Sequence, residues 1–298
     1  MTRHRVPAIL VMAGALLAGG LITACEQSPA SSSEALTAQE VAARYGYDID
    51  RETTTPVYAL VPQFRDPDDI YARELLGREC LAGVVEYRPS RPGEDTNPTF
   101  DERTMQIVFT EEIAQQFGYP QLRTIPQPDT AIPDSVTITA EIQARMVECG
   151  QRADERLGVA PQRLLNAIEA TAWMGVEDDD AVAQATTRWR ECMAPVGLID
   201  LPDRPQLMPT DSIRNAASPT GQDESDSGSV AASEWERGIA VADAHCRTTS
   251  GYDRAVHVSR TTAELAAIGA DIEGFEAARA EYVEYQKGVD AVIAELGG

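Results

Sequence analysis

Apolar residues return every three or four positions along most of the chain, which predicts a mainly α-helical protein. Ile138, Ile142, Met146, Cys149, Ala153 and Leu157 form one such stripe across 136–158. Leu164, Leu165, Ile168 and Ala172 form the next, after Pro161 and before Gly175. Val182, Ala185, Trp189 and Cys192 follow, then Trp235, Ile239, Ala242 and Cys246. From Leu265 through Ile268, Ile272, Phe275, Tyr282, Tyr285, Val289, Ile293 and Leu296 the period continues for more than thirty residues. That last run predicts a long C-terminal helix, bent at Gly269 or Gly274. Its apolar side is expected to pack on its own domain, with a partner helix as the alternative, so Leu265, Ile272, Phe275, Tyr282 and Tyr285 stand as a candidate interaction face.

Helix ends are written between the stripes. Residues 36–46, LTAQEVAARYG, predict a short helix stopped by glycine. Asp66-Pro67-Asp68-Asp69 is a capped helix start, and the helix it opens carries Cys80 near its end. The sequence EEIAQQFGY is helical too, after a brief strand in MQIVFT. Ser233 with Glu236 three residues on matches a capping box. Proline-bearing stretches read as irregular: 53–65 around Pro56 and Pro62, 86–103, and 124–135. Residues 204–232, rich in Pro, Ser, Gly and Asp, predict a disordered loop.

The first 24 residues follow a different pattern. Arg3 and Arg5 precede an apolar run from Val6 to Ala24, then polar Glu26-Gln27-Ser28, the layout of a secretion signal rather than of a membrane span. Leu21-Ile22-Thr23-Ala24-Cys25 resembles the bacterial lipobox, which implies cleavage before Cys25, acylation of that cysteine, and attachment to the outer face of the cell membrane. Residues 25–35 then serve as a flexible tether.

An exported chain changes the reading of its other cysteines, because thiols oxidise outside the cytoplasm. Cys80, Cys149, Cys192 and Cys246 favour two disulfides over a metal site, since no two lie within four residues of one another and neither His245 nor His257 completes a ligand spacing. Four cysteines allow three connectivities, and spacing alone leaves them open. Arg78-Glu79-Cys80-Leu81-Ala82 and Arg190-Glu191-Cys192-Met193-Ala194 look like two copies of one helix end. Each copy precedes a helix with a cysteine seven residues after an isoleucine, Ile142 with Cys149 and Ile239 with Cys246. If the chain is duplicated, it holds two tandem disulfide-stapled helical units, 36–158 closed by Cys80 and Cys149, and 159–298 closed by Cys192 and Cys246.

The second unit resembles a module of secreted actinobacterial lipoproteins, with Cys192, Met193, Gly197, Pro202, Asp203 and Cys246 matching it over about a fifth of the chain; Gly197 stands one residue later than in that pattern. In the first unit Leu81 replaces the methionine. The resemblance implies a disulfide within the module and an envelope protein, and it brings no catalytic residues. Physically, Met193 fills core space beside a bridge, Gly197 ends a helix with positive φ, and Pro202 fixes the exit.

Charge and motifs narrow function further. The formal charge is −23, and removal of the signal with its two arginines makes it −25, which repels nucleic acid. The acidic run Glu177–Asp180 is a helix start rather than a calcium loop, which would alternate its oxygen ligands around a glycine. Nucleophile-elbow, zinc-protease and phosphate-loop motifs are not written in the chain, and no cofactor is read. His245 beside Cys246 is a weak thiol pair, because helical neighbours point apart. The expectation is a lipid-anchored, non-catalytic envelope protein that binds a protein such as a permease or a cell-wall assembly, or is structural. A solute-binding lipoprotein of an importer is the alternative, and an extracellular hydrolase the third reading.

Overall fold

Helix starts in this protein are set by local caps where the sequence shows them and by distant groups where it does not. In the computed structural model, the described residues are 35–64, 66–93, 98–101, 106–123, 137–217 and 231–297. Helix α1 (Ala38–Tyr45) begins with a full capping box between Thr37 and Glu40 and ends at Gly46. Helix α3 (Pro67–Cys80) is capped by Asp66, whose carboxylate accepts from the Asp68 N–H. Between them lies α2 (Pro56–Leu60), in a stretch expected to be irregular. Pro56 stands in its first turn, where a missing N–H costs nothing. The Val57 N–H is satisfied by Glu264, 3.0 Å away and 207 residues on, a partner that no local pattern reveals.

Strands β1 (Phe100–Asp101) and β2 (Gln106–Ile107) pair antiparallel, Phe100 opposite Ile107. Helix α4 (Glu111–Phe117) follows, capped by Thr110. Helix α5 (Ala140–Leu157) buries Cys149, Ala153 and Leu157, the end of its predicted stripe. Helices α6 (Arg163–Val176) and α7 (Asp180–Met193) come next, the latter capped by Asp179 as the acidic run foretold. Part of the expected disordered loop is ordered: a 3-10 turn at Pro205–Leu207 leads to helix α8 (Asp211–Ala217). Met208 and Ile213 are the reason, 3% and 0% exposed in a core with Trp189, Met193 and Ile239. Asp200 holds the start of α8 by accepting from the Ser212 N–H and hydroxyl. Residues 124–136 and 218–230 lie outside the described residues, and with them the predicted 124–135 connection and the middle of 204–232.

Helices α9 (Glu234–Thr249), α10 (Tyr252–Ala270) and α11 (Ile272–Leu296) complete the chain. The long C-terminal helix is present as the 25-residue α11, and the bend expected at Gly269 or Gly274 is a full break between them at Asp271, whose φ of −139° and ψ of 63° leave the helical region. Asp271 then caps α11 by accepting from the Gly274 N–H. Gly269 serves packing instead of bending: Leu36 donates its N–H to the Gly269 carbonyl at 3.0 Å, and a Cβ there would lie 2.1 Å from the Leu36 oxygen.

Residues from Ala35 onward form one compact unit. Helix α10 is its central strut, flanked by α1, α6, α7 and α9, while α11 lies on α3 and α4 on α9. Helices from each side of the 158/159 boundary therefore pack on one another. One core joins α1, α2, α6, α10 and α11; a second joins α4, α7, α9 and the 208–213 segment.

Candidate functional site

Both bridges close between helices. Cys80 at the end of α3 is bonded to Cys149 of α5, and Cys192 of α7 to Cys246 of α9, with Cα separations of 5.7 and 5.6 Å. Met193 is fully buried beside the second bridge, and Gly197 ends the following 3-10 turn at φ 74°. The RWRECMAPVG stretch is a disulfide-anchored helix end. Around it the two bridges differ. Cys192–Cys246 lies against a core cluster with Trp189 and Met193, and cavities of about 330 and 370 Å³ flank the contact of α3 with α5 near Cys80–Cys149.

The candidate interaction face is used by the protein's own core. Leu265, Phe275 and Tyr282 are at most 1% exposed. Phe275 meets Tyr45 and Tyr282 meets Phe64, each edge to face at 5.9 Å. Ile272 packs against the same cluster. Tyr285 donates to Asp69 and accepts from Arg73, and burial with the Asp69 contact pushes its hydroxyl up to about 12. An α11 free to meet a partner needed an unpaired apolar side; α1, α3 and α6 cover it.

Two buried polar networks were not legible in the sequence. In the first, Asp243 of α9, wholly buried, accepts from Trp189 Nε1 at 2.9 Å, from Arg247 Nε at 2.9 Å and from the Tyr119 hydroxyl at 3.3 Å. Nearby, Glu236 departs from the predicted capping box. Ser233 does accept from the Glu236 N–H, but the Glu236 carboxylate turns inward to the Tyr119 N–H and Arg123. A buried cation and a long-range N–H outcompete the local cap.

In the second network, Arg260 of α10 donates to Glu264 at 3.0 Å and to Glu169 of α6 at 2.7 Å. All three side chains are nearly buried. The Tyr58 hydroxyl reaches Glu169 at 3.0 Å. Burial pushes the Glu264 carboxyl up, against the lowering pull of the Val57 N–H and Arg260. The Arg260 guanidinium stacks over the Trp173 ring, 4.5 Å from its centre.

That stack floors a polar cleft of about 320 Å³ between the 53–58 segment, the β1–β2 hairpin, α6 and α10. His257 lines it, its ring held below the ordinary histidine value chiefly by burial and then by the Arg254 and Arg260 charges. Its residues come from segments about two hundred positions apart, which is why periodicity could not find it. Only Trp173, an exposed aromatic on a helix whose other face is apolar, was a signal in the sequence.

The remaining sequence candidates are structural or lie elsewhere. Cys25, the signal and residues 25–34 lie outside the described residues. His245 Nδ1 stands 3.0 Å from Glu111 on the surface, and its neighbour Cys246 is bridged and offers no thiol. Glu177 pairs with Arg204. Among the described residues no three metal-binding side chains converge, and no helix is long and apolar enough to cross a membrane. No family model, curated protein or solved structure matches the chain.

Proposed function

We propose that this is a lipid-anchored envelope protein that acts by binding rather than by catalysis. The pair of disulfides is the observation that carries the reading: bridges between two helix pairs fit an oxidising compartment, and the lipobox-like segment ending at Cys25 supplies the route to it. The non-catalytic reading is supported by the pairing of the buried carboxylates: Asp243, Glu236, Glu169 and Glu264 each face an arginine and tie helices together. Burial of the α11 face leaves the protein-partner form of this role without its expected surface, and the polar cleft favours a small-molecule form. An importer receptor of the two-lobed α/β kind draws no support from a helical unit with one short hairpin among the described residues.

The test is metabolic labelling with an alkyne fatty acid and fractionation of the cells. Wild-type protein takes the label and sediments with membranes, while Cys25→Ala loses both. Unlabelled wild-type protein in the cytoplasm would end the proposal.

A further inference from the structure

We propose that the cleft floored by Arg260 and Trp173 binds a single neutral sugar ring. The proposal deepens the binding role above by naming its ligand class, and it rests on that role only for where the ligand is met. At about 320 Å³ the cleft sits at the small end of ligand sites, room for one ring rather than a peptide.

Its chemistry is amphipathic in the way a pyranose is. Trp173 is 43% exposed although it lines a concave, mainly polar surface. Exposed aromatic surface of this kind provides a flat apolar platform with a polar edge, suited to the C–H face of a sugar. Arg260, pinned by two carboxylates, holds the ring in place from one side. Facing it are groups with both donor and acceptor capacity. Gln106 supplies an amide and His257 an imidazole whose charged form burial disfavours, while Asp253 adds an acceptor. Thr55 also lines the cleft, 8% exposed, with its hydroxyl beside the Glu264 carboxylate.

Charge selects against the other small polar ligands. An anion gains nothing from Arg260, which Glu169 and Glu264 already neutralise, and it meets Asp253 and a chain of net charge −23. A cation would be placed against the Arg260 guanidinium on the floor. A neutral polyol meets neither penalty.

The experiment is saturation-transfer NMR and calorimetry on the full-length protein in a sugar-free detergent. The probes are the methyl pyranosides of glucose, mannose and galactose, N-acetylglucosamine, inorganic phosphate and choline. At least one neutral glycoside should bind saturably. Trp173→Ala and Gln106→Ala should each weaken it about tenfold or more. Gln106 sits on the surface hairpin, so its variant keeps the wild-type thermal midpoint and separates lost binding from lost folding. The proposal is overturned if no glycoside binds, if binding survives both substitutions, or if phosphate or choline takes the site instead. Anchoring is read by labelling and fractionation, so failure here leaves that result standing, and failure there leaves this one.

Discussion

Asp243 shows how much a single buried carboxylate can organise. It is the common acceptor for an indole, a guanidinium and a phenol from three segments. Asp243→Ala leaves Arg247 and Trp189 Nε1 without their partner in a nearly closed site. The expected cost is roughly 3–5 kcal/mol, read as a lower urea midpoint with a red-shifted Trp189 emission. Gly269→Ala acts by crowding, since its Cβ would overlap the Leu36 carbonyl. It should lose about 1–3 kcal/mol, with amide exchange rising first around Leu36. His257 gives a pH dependence of definite sign. Its folded-state value lies below the ordinary 6.5, so it contributes nothing above that pH. As pH falls through 6.5, the unfolded chain takes up a proton that the folded chain resists, and stability drops until the folded value is reached. His257→Gln should flatten the fall in urea midpoint between about pH 7 and 5.5.

At the scale of elements, the two bridges should fail in different ways. Each closes a loop for which chain entropy gives roughly 4 kcal/mol of stabilisation as an upper figure. Helix α5 buries only Cys149, Ala153 and Leu157, with cavities beside its contact with α3. Replacing Cys80 and Cys149 by serine should therefore free α5 locally, with fast hydrogen exchange across Ala140–Leu157 and the other helices protected. Replacing Cys192 and Cys246 opens the core around Trp189 and Met193, and should lower the global unfolding midpoint instead. Equal, global losses from both pairs would show that α5 is held by more than its bridge. Elements were legible where a rule is local: the Asp66 cap, the stop at Gly46, the acidic start of α7, and the cysteine-bearing stripes. Helix α2 was not, because Glu264 satisfies its first turn from the other end of the chain. The α10–α11 break was legible only as a bend near Gly269 or Gly274, because the apolar period runs unbroken through Asp271.

For the whole molecule, the sequence suggested two successive units, and the fold weaves their helices together through α10 and α11. Cysteine pairing could be anticipated because it repeats a local motif. The cleft could not, since Thr55, Gln106, Trp173 and His257 meet only when distant segments pack. Address and architecture converge on one claim: a chain cut and acylated at Cys25 whose other four cysteines are bridged. The most direct measurement is the intact mass of the protein purified from its own membranes, alkylated before and after reduction. The account predicts a chain beginning at an acylated Cys25 that takes up no alkylating groups until reduced, and then four. A chain that retains Met1, or one whose thiols alkylate without reduction, would contradict it.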